Sequence, residues 1–269
     1  MKKEKIMLLF LIRVPISLLL VVAIVFSVRL HISRQPYRDS KKLIKAIKNE
    51  NIAEIEQMLE SGVDPNVLTT PDYEIRFWNA LETGPQRPLS VACDVANLEI
   101  VKMLIEYSAT AEDDGKSGWS PLQETLFYYQ TDDVEIVKLL LENGADPDFA
   151  EEYYNLPVFN AAEMRPKVFD KNKTNGTVFS TGYDVETAKK ITEIVTILLD
   201  DKSINIKTSS GRTLLMYAAE SGNIYLVDYL ITNGCDASVK DNRGKTAYDY
   251  AKQENNAEIL AMLRKTGDG

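Results

Sequence analysis

Apolar residues return along the chain in one phrase: two in a row, one variable position, then up to three more. It reads Ile100-Val101-Lys102-Met103-Leu104-Ile105, Ile136-Val137-Lys138-Leu139-Leu140-Leu141, Ile194-Val195-Thr196-Ile197-Leu198-Leu199 and Leu226-Val227-Asp228-Tyr229-Leu230-Ile231. A weaker copy starts at Ile55 and a terminal one at Ile259. This spacing gathers the apolar residues onto one broad face of a helix and is far from the alternation of a half-buried strand. Helices with such a face must bury it on a neighbour.

Upstream of each lies a shorter segment that also reads as a helix. These begin at Arg87 (RPLSVAC), Ser120 (SPLQETL), Leu156 (LPVFNAA), Thr213 (TLLMYAA) and Thr246 (TAYDYA). Ser or Thr can cap the amino end, and Pro is tolerated at the first helical position, where its missing N–H has no intrahelical partner anyway. The longer helices end in Gly62, Gly144 and Gly234. A left-handed residue there closes a helix without steric cost, and Asp64, Asp146 and Asp236 then begin the turn that leads away.

Short capped helix, tight turn, longer apolar helix, Gly-x-Asp and a projecting turn, with a period of 33 from Pro88 to Pro121 and from Leu214 to Ala247, resemble the ankyrin repeat. The resemblance covers about residues 39–266 and implies an all-α, ankyrin-type solenoid of stacked helix-turn-helix repeats with short projecting turns, preceded by a hydrophobic N-terminal helix. Six units are expected, at about 39–67, 84–112, 117–149, 154–206, 211–241 and 244–266, with insertions near 68–84 and 166–184 and a tail at 267–269. There are departures from the pattern. The first unit starts SKKLIKAI without Thr-Pro, and Ser108 stands where the second unit's glycine would fall. The distance from Pro121 to Pro157 is 36 residues, and from Pro157 to Leu214 it is 57.

Ahead of the repeats, residues 1–29 hold the apolar run Ile6 to Val28, interrupted by Arg13 and Pro15, and 30–38 read as a linker. As a helix the run would reach about 34 Å, enough to cross a hydrocarbon core of about 30 Å. Two readings stand. One is a retained single-pass membrane anchor; the other is a signal segment cleaved near Ser27, which would release a secreted or periplasmic body. Cations flank the run on both sides, so its orientation is undecided.

The net charge is -9, and beyond residue 29 there are 26 Lys/Arg against 39 Asp/Glu. An acidic body repels phosphate backbones, which argues against nucleic acid as a ligand and leaves room for a basic protein partner. His31 is the one histidine, and Cys93 and Cys235 are the two cysteines. No catalytic triad, histidine-rich metal site or cofactor motif follows from them, and no enzymatic activity is expected. Gly115-Lys116-Ser117 and Gly244-Lys245-Thr246 lack the upstream glycine of a phosphate-binding loop, Thr110 and Val239 standing there. The acidic pairs Asp113-Asp114, Asp132-Asp133, Glu151-Glu152 and Asp200-Asp201 read as solvated loop charge.

The resemblance implies a protein-protein interaction module with a monomeric body, which binds through projecting turns and the exposed side of the short helices. The candidate partner-binding residues are Tyr73, Phe77 and Trp78 in the first insertion, and Asp113, Asp114, Trp119, Glu151, Glu152, Tyr153 and Tyr154 in the turns. Aromatics anchor interfaces by large area at modest entropic cost, and the mixture of acid and ring suits a basic or amphipathic peptide. The insertion rings serve equally well as a cover over flanking helices. An exported regulator or inhibitor of an enzyme or toxin is the alternative role.

Overall fold

The computed structural model describes residues 35–69, 86–112, 120–127, 133–149, 156–164, 167–169, 177–179, 184–199 and 203–266. Among these, helices alternate between an inner and an outer series. The inner helices are α1 (35–48), α3 (Pro88–Val95), α5 (Pro121–Thr125), α7 (Pro157–Glu163), α9 (Leu214–Ser221) and α11 (Ala247–Gln253). The outer ones are α2 (Ile52–Glu60), α4 (Leu98–Glu106), α6 (Asp133–Glu142), α8 (Val185–Leu199), α10 (Ile224–Thr232) and α12 (Ala257–Thr266).

Local chemistry sets these boundaries. Ser120 with Gln123, and Thr246 with Asp249, form reciprocal capping boxes at the starts of α5 and α11, and Thr213 accepts from the Met216 amide to cap α9. Pro88, Pro121 and Pro157 occupy the first helical positions. Each inner helix but two closes on a residue with positive φ: Glu50 (51°), Ala96 (54°), Gly222 (82°) and Asn255 (54°). The very next residue is an asparagine whose side chain caps the outer helix, Asn51 on Glu54, Asn97 on Ile100, Asn223 on Leu226 and Asn256 on Ile259. One left-handed residue and one Asn therefore turn the chain through each of these four hairpins.

Outer helices end as expected on Gly62, Gly144 and Gly234, at φ of 85° to 93°, and Ser108 takes the same conformation at 68°. The missing glycine leaves the turn intact.

Each helix packs on its hairpin partner and on the equivalent helix of the next repeat, α3 to α5 to α7 to α9 to α11 on the inner side and α4 to α6 to α8 to α10 to α12 on the outer. The apolar phrases lie between these layers. Ile100, Val101, Leu104, Ile136, Val137, Leu140, Ile194, Val195, Leu198, Leu226, Val227 and Leu230 are all fully buried. Small residues Ala92, Ala161, Ala162, Ala218, Ala219 and Ala251, also fully buried, let the inner helices approach closely. The core is thus continuous from repeat to repeat rather than closed around one centre.

Three expectations need correction. The predicted linker is helical over 35–38, where the Gln35 amide donates to the Asp39 carboxylate one turn on, at 2.9 Å. The all-α expectation holds for the repeats, but the second insertion carries a short antiparallel pair, β1 (Lys167–Phe169) and β2 (Thr177–Phe179), with Val168 opposite Val178. The paired strands satisfy each other's backbone groups. Asp133, read as solvated, is completely buried as the first residue of α6, where the unpaired amides of a helix start favour a carboxylate. The proposed anchor at 1–29 lies outside the described residues; among those described, no helix is long and apolar enough to cross a membrane.

Candidate partner-binding face

The turns between outer and inner helices stack on one another. In three of them an aspartate accepts from the amide two residues on, Asp64 from Asn66, Asp146 from Asp148 and Asp236 from Ser238, at 2.8 to 2.9 Å, and in the other two the hydroxyls of Thr110 and Ser203 do so. Asn66 then clamps the next turn, donating to the Ser108 carbonyl at 2.8 Å and accepting from the Thr110 amide at 2.9 Å. At the other end, Asn205 accepts from the Asp236 amide, and Asn242 reaches back to the carbonyls of Ser209 and Ser210. The first two turns and the last two are thus each joined into one edge.

In the last two turns the tip is closed by a backbone pair, Thr208 amide to Arg212 carbonyl and Asp241 amide to Lys245 carbonyl, both 2.9 Å. In the first turn the equivalent pair is the Thr69 amide on the Gln86 carbonyl at 3.2 Å, reinforced by the Gln86 amide on Thr69 Oγ1 at 3.0 Å. Residues 70–85 of the first insertion fall between this pair in sequence and lie outside the described residues.

Beside the turns runs the exposed side of the inner helices. Three residues after each helix start stand Val91, Glu124, Asn160, Tyr217 and Tyr250, and three further on Asp94, Phe127, Glu163, Glu220 and Gln253; positions three apart share a helix face. The first set is buried or half-buried. The second is exposed except for the half-buried Glu220, and Phe127 keeps 47% of its surface in water.

At the C-terminal end this face becomes a box of rings and charges. The Arg212 guanidinium lies 3.9 Å from the Tyr217 ring centroid and 4.6 Å from that of Tyr250, and it pairs with Glu220. Lys245 Nζ is 5.5 Å from the same Tyr250 ring. Tyr250 donates its hydroxyl to Asp241 at 2.6 Å, while Phe159 packs at a tilt on Tyr217 with centroids 5.6 Å apart. Burial works to raise the Asp241 pKa, but the Tyr250 hydroxyl and the amides of Lys245 and Arg243 hold it below the usual carboxylate value. Gly244-Lys245-Thr246 is therefore a turn, with Gly244 at φ 76°.

In the middle of the face two carboxylates adjoin. Burial, and then the charge of Asp94, push the Glu124 carboxyl up to about 7. Cys93 beneath is completely buried and its thiol is pushed up to about 12, chiefly by burial; burial likewise lifts Cys235 to about 11. Both thiols stay protonated at neutral pH, unlike the thiolate that nucleophilic chemistry needs. Among the described residues, no group of three or more His, Cys, Asp or Glu could hold a metal ion.

All ten sequence-predicted site residues, Tyr73, Phe77, Trp78, Asp113, Asp114, Trp119, Glu151, Glu152, Tyr153 and Tyr154, lie outside the described residues. Their flanks are described. In sequence the first three fall between Thr69 and Gln86, the next three between Glu112 and Ser120, and the last four between Phe149 and Leu156. The sequence reading missed the Arg212, Tyr217 and Tyr250 box and the Asp94 and Glu124 pair. Aligning the repeats on the helix starts would have found them, because Tyr217 and Tyr250 hold one register position and Arg212 and Lys245 another.

Comparison with known proteins bears on this geometry. The family model for ankyrin repeats, in three copies, matches residues 43–151 and 185–268. A putative ankyrin repeat protein of Rickettsia felis is 24% identical over 198 residues, 71% of this chain and 50% of its own length. An ankyrin repeat and KH domain-containing protein of Caenorhabditis briggsae is 27% identical over 176 residues, 65% of this chain but 6% of its own. The chain thus spans half or less of these two relatives. A chain in the solved complex of a predatory endopeptidase from Bdellovibrio bacteriovorus with an immunity protein is similar at a TM-score of 0.56 and 25% identity, over 83% of this chain and 96% of that one. With the family model matched over most of its length and the stacked hairpins in place, the chain belongs to the ankyrin repeat family.

Proposed function

We propose that this protein is a non-enzymatic binding module whose turn tips and adjoining inner-helix face take a protein partner, with a basic segment of that partner on the N-terminal half. The observation that carries the reading is the bonding between successive turns: Asn66 ties the first to the second, and Asn205 and Asn242 tie the last two, so these turns present pre-organised surfaces at both ends of the array. Charge supports the sign of the partner. Asp64, Glu112, Asp146 and Asp148 are exposed on the described parts of the first three turns, with Asp94 and Glu124 beside them. Tyr73, Phe77 and Trp78 fall in the first insertion of the sequence, and their rings would anchor the same partner.

A second reading narrows the partner to an enzyme that the module restrains. It is favoured by the similarity to a chain from an endopeptidase in complex with an immunity protein. In either case we propose that residues 1–29 set the location, as a retained anchor that confines binding to a membrane surface or as a segment removed near Ser27. Sequencing the amino terminus of the mature protein separates the two.

The binding reading is tested by crosslinking the full chain in its native cells and recovering complexes. Capture of a protein is expected to fall in Asp64→Lys/Asp146→Lys/Asp148→Lys, in Trp78→Ala and in Tyr153→Ala/Tyr154→Ala, with helical content unchanged. Equal capture by all three variants would move the binding surface off this edge.

A further inference from the structure

The turn edge changes sign along its length. The described parts of the first three turns expose Asp64, Glu112, Asp146 and Asp148 and no Lys or Arg, since Arg87 is buried. The described parts of the last two turns carry Lys207, Arg212, Lys240, Arg243 and Lys245 against Asp236 and Asp241, with Glu220 of α9 paired to Arg212; Asp200, Asp201 and Lys202 of the same turn lie outside the described residues. Asp241 is already engaged by the Tyr250 hydroxyl and by the amides of Arg243 and Lys245, and Asp236 by Ser238. Lys207, Lys240 and Arg243 are exposed, while Arg212 and Lys245 are half-buried.

These cations are ordered by the repeat. Lys207 and Lys240 occupy one register position and Arg212 and Lys245 another, each pair 33 residues apart. Stacked helices lie about 8 to 10 Å apart, so equivalent positions are neighbours along the edge. The last two turns are locked together by Asn242 on Ser209 and Ser210, and Arg212 and Lys245 lie against the same Tyr250 ring. The aromatic support holds the two cationic heads in place before any ligand arrives, which lowers the ordering cost of binding.

We propose that the last two turns, through Lys207, Lys240 and Arg243 at the rim and Arg212 and Lys245 against Tyr250, form a second docking surface that takes an acidic segment of a protein. The proposal extends the binding reading above and gives it a polarity: a partner lies along the edge with its basic portion toward the first repeats and its acidic portion toward the last. A chain with net charge -9, whose neighbouring turns are acidic, disfavours a long polyphosphate while matching a partner of mixed charge.

The test uses the full chain and three fluorescent probes in low salt: an oligoglutamate peptide, an oligolysine peptide and single-stranded oligothymidylate, each read by anisotropy. Oligoglutamate is expected to bind, and Lys207→Glu/Lys240→Glu/Arg243→Glu to weaken it by about tenfold or more. Asp64→Lys/Asp146→Lys/Asp148→Lys should leave oligoglutamate binding in place and abolish that of oligolysine. Failure with oligolysine alone strikes the basic-partner reading and not this one. Oligoglutamate that does not bind, or binds the first variant as well as the native chain, overturns the proposal. So does tighter binding of oligothymidylate, which would assign the cations to nucleic acid. The rim cations are exposed and their side chains make no hydrogen bonds among the described residues, so circular dichroism of the variant should match the native spectrum; a milder Lys207→Ala/Arg243→Ala variant repeats the test if it does not.

Discussion

Arg212 lies over Tyr217, with its guanidinium carbon 3.9 Å from the ring centroid, and this contact joins the turn before α9 to the helix itself. Tyr250 of the next repeat covers the same guanidinium at 4.6 Å, so one side chain ties two repeats together. Burial opposes the Arg212 charge, while Glu220 and the two rings favour it and leave its pKa raised.

Stacking of this kind needs a planar cation, which gives the first prediction. Arg212→Lys should cost about 1 kcal/mol although the charge is kept, and Arg212→Ala about 2 kcal/mol because the ion pair with Glu220 is lost as well. Urea unfolding of both variants reads the difference. A lysine as good as arginine would mean that charge alone holds the two repeats.

Leu140 is fully buried in α6, between the outer helices of the second and fourth repeats. Leu140→Asp places an unpaired carboxylate there, at a cost of several kcal/mol. Because each repeat rests on its neighbours alone, the loss should begin locally. Hydrogen exchange is expected to show protection lost first in the third and fourth repeats, with α10 to α12 retaining more. A thermal melt unchanged by the substitution would remove the stacking explanation.

The repeated phrase of Ile100, Ile136, Ile194 and Leu226 made the outer helices legible, because a broad apolar face has few ways to be buried. The glycines and aspartates at the turns were equally readable, since Gly62, Gly144 and Gly234 need a left-handed backbone that the side chains of most residues resist. What the sequence concealed depended on stacking. Asp133 looks solvated in a run of polar residues and is buried once α6 packs, while the Arg212 box joins residues 33 and 38 positions apart that only superposed repeats bring together. The turn insertions carry no period, so the residues predicted within them had no register to fix their surroundings.

Glycines at these turns are not equivalent, and substitution should separate backbone strain from crowding. Gly62, at φ 89°, would give a Cβ open space, whereas a Cβ at Gly211, at φ 78°, would stand 2.7 Å from Asn242 Oδ1 and 3.1 Å from its backbone nitrogen. Gly62→Ala should cost about 1 kcal/mol from the left-handed backbone alone. Gly211→Ala must also disturb the Asn242 contacts with Ser209 and Ser210, so its cost should exceed that of Gly62→Ala by about 1 kcal/mol. Ser108→Gly should act in the opposite sense, stabilising by up to about 1 kcal/mol. Denaturant midpoints rank the three, and equal losses at Gly62 and Gly211 would mean that the turns do not press on one another.

Glu124 predicts how stability depends on pH. Its carboxyl is pushed from 4.5 up to about 7, first by burial and then by Asp94, so the folded state holds a proton that the unfolded chain releases. A raised carboxyl pKa destabilises the fold as pH climbs. The penalty is absent below the unfolded value, grows between about 4.5 and 7, and is complete above that range. The full shift corresponds to about 3 kcal/mol, and partial contact with water trims it to about 2 kcal/mol. Glu124→Gln keeps the shape and removes the charge. At pH 8 it should be more stable than the native chain by that amount, and at pH 4 the two should unfold together. Asp94→Asn should recover a smaller part of the same difference, because the charge of Asp94 is the lesser cause. A Glu124→Gln variant less stable than the native chain at pH 8 would show that the carboxylate is held by a favourable contact on the inner face, and the like-charge account of this part of the surface would fall with it.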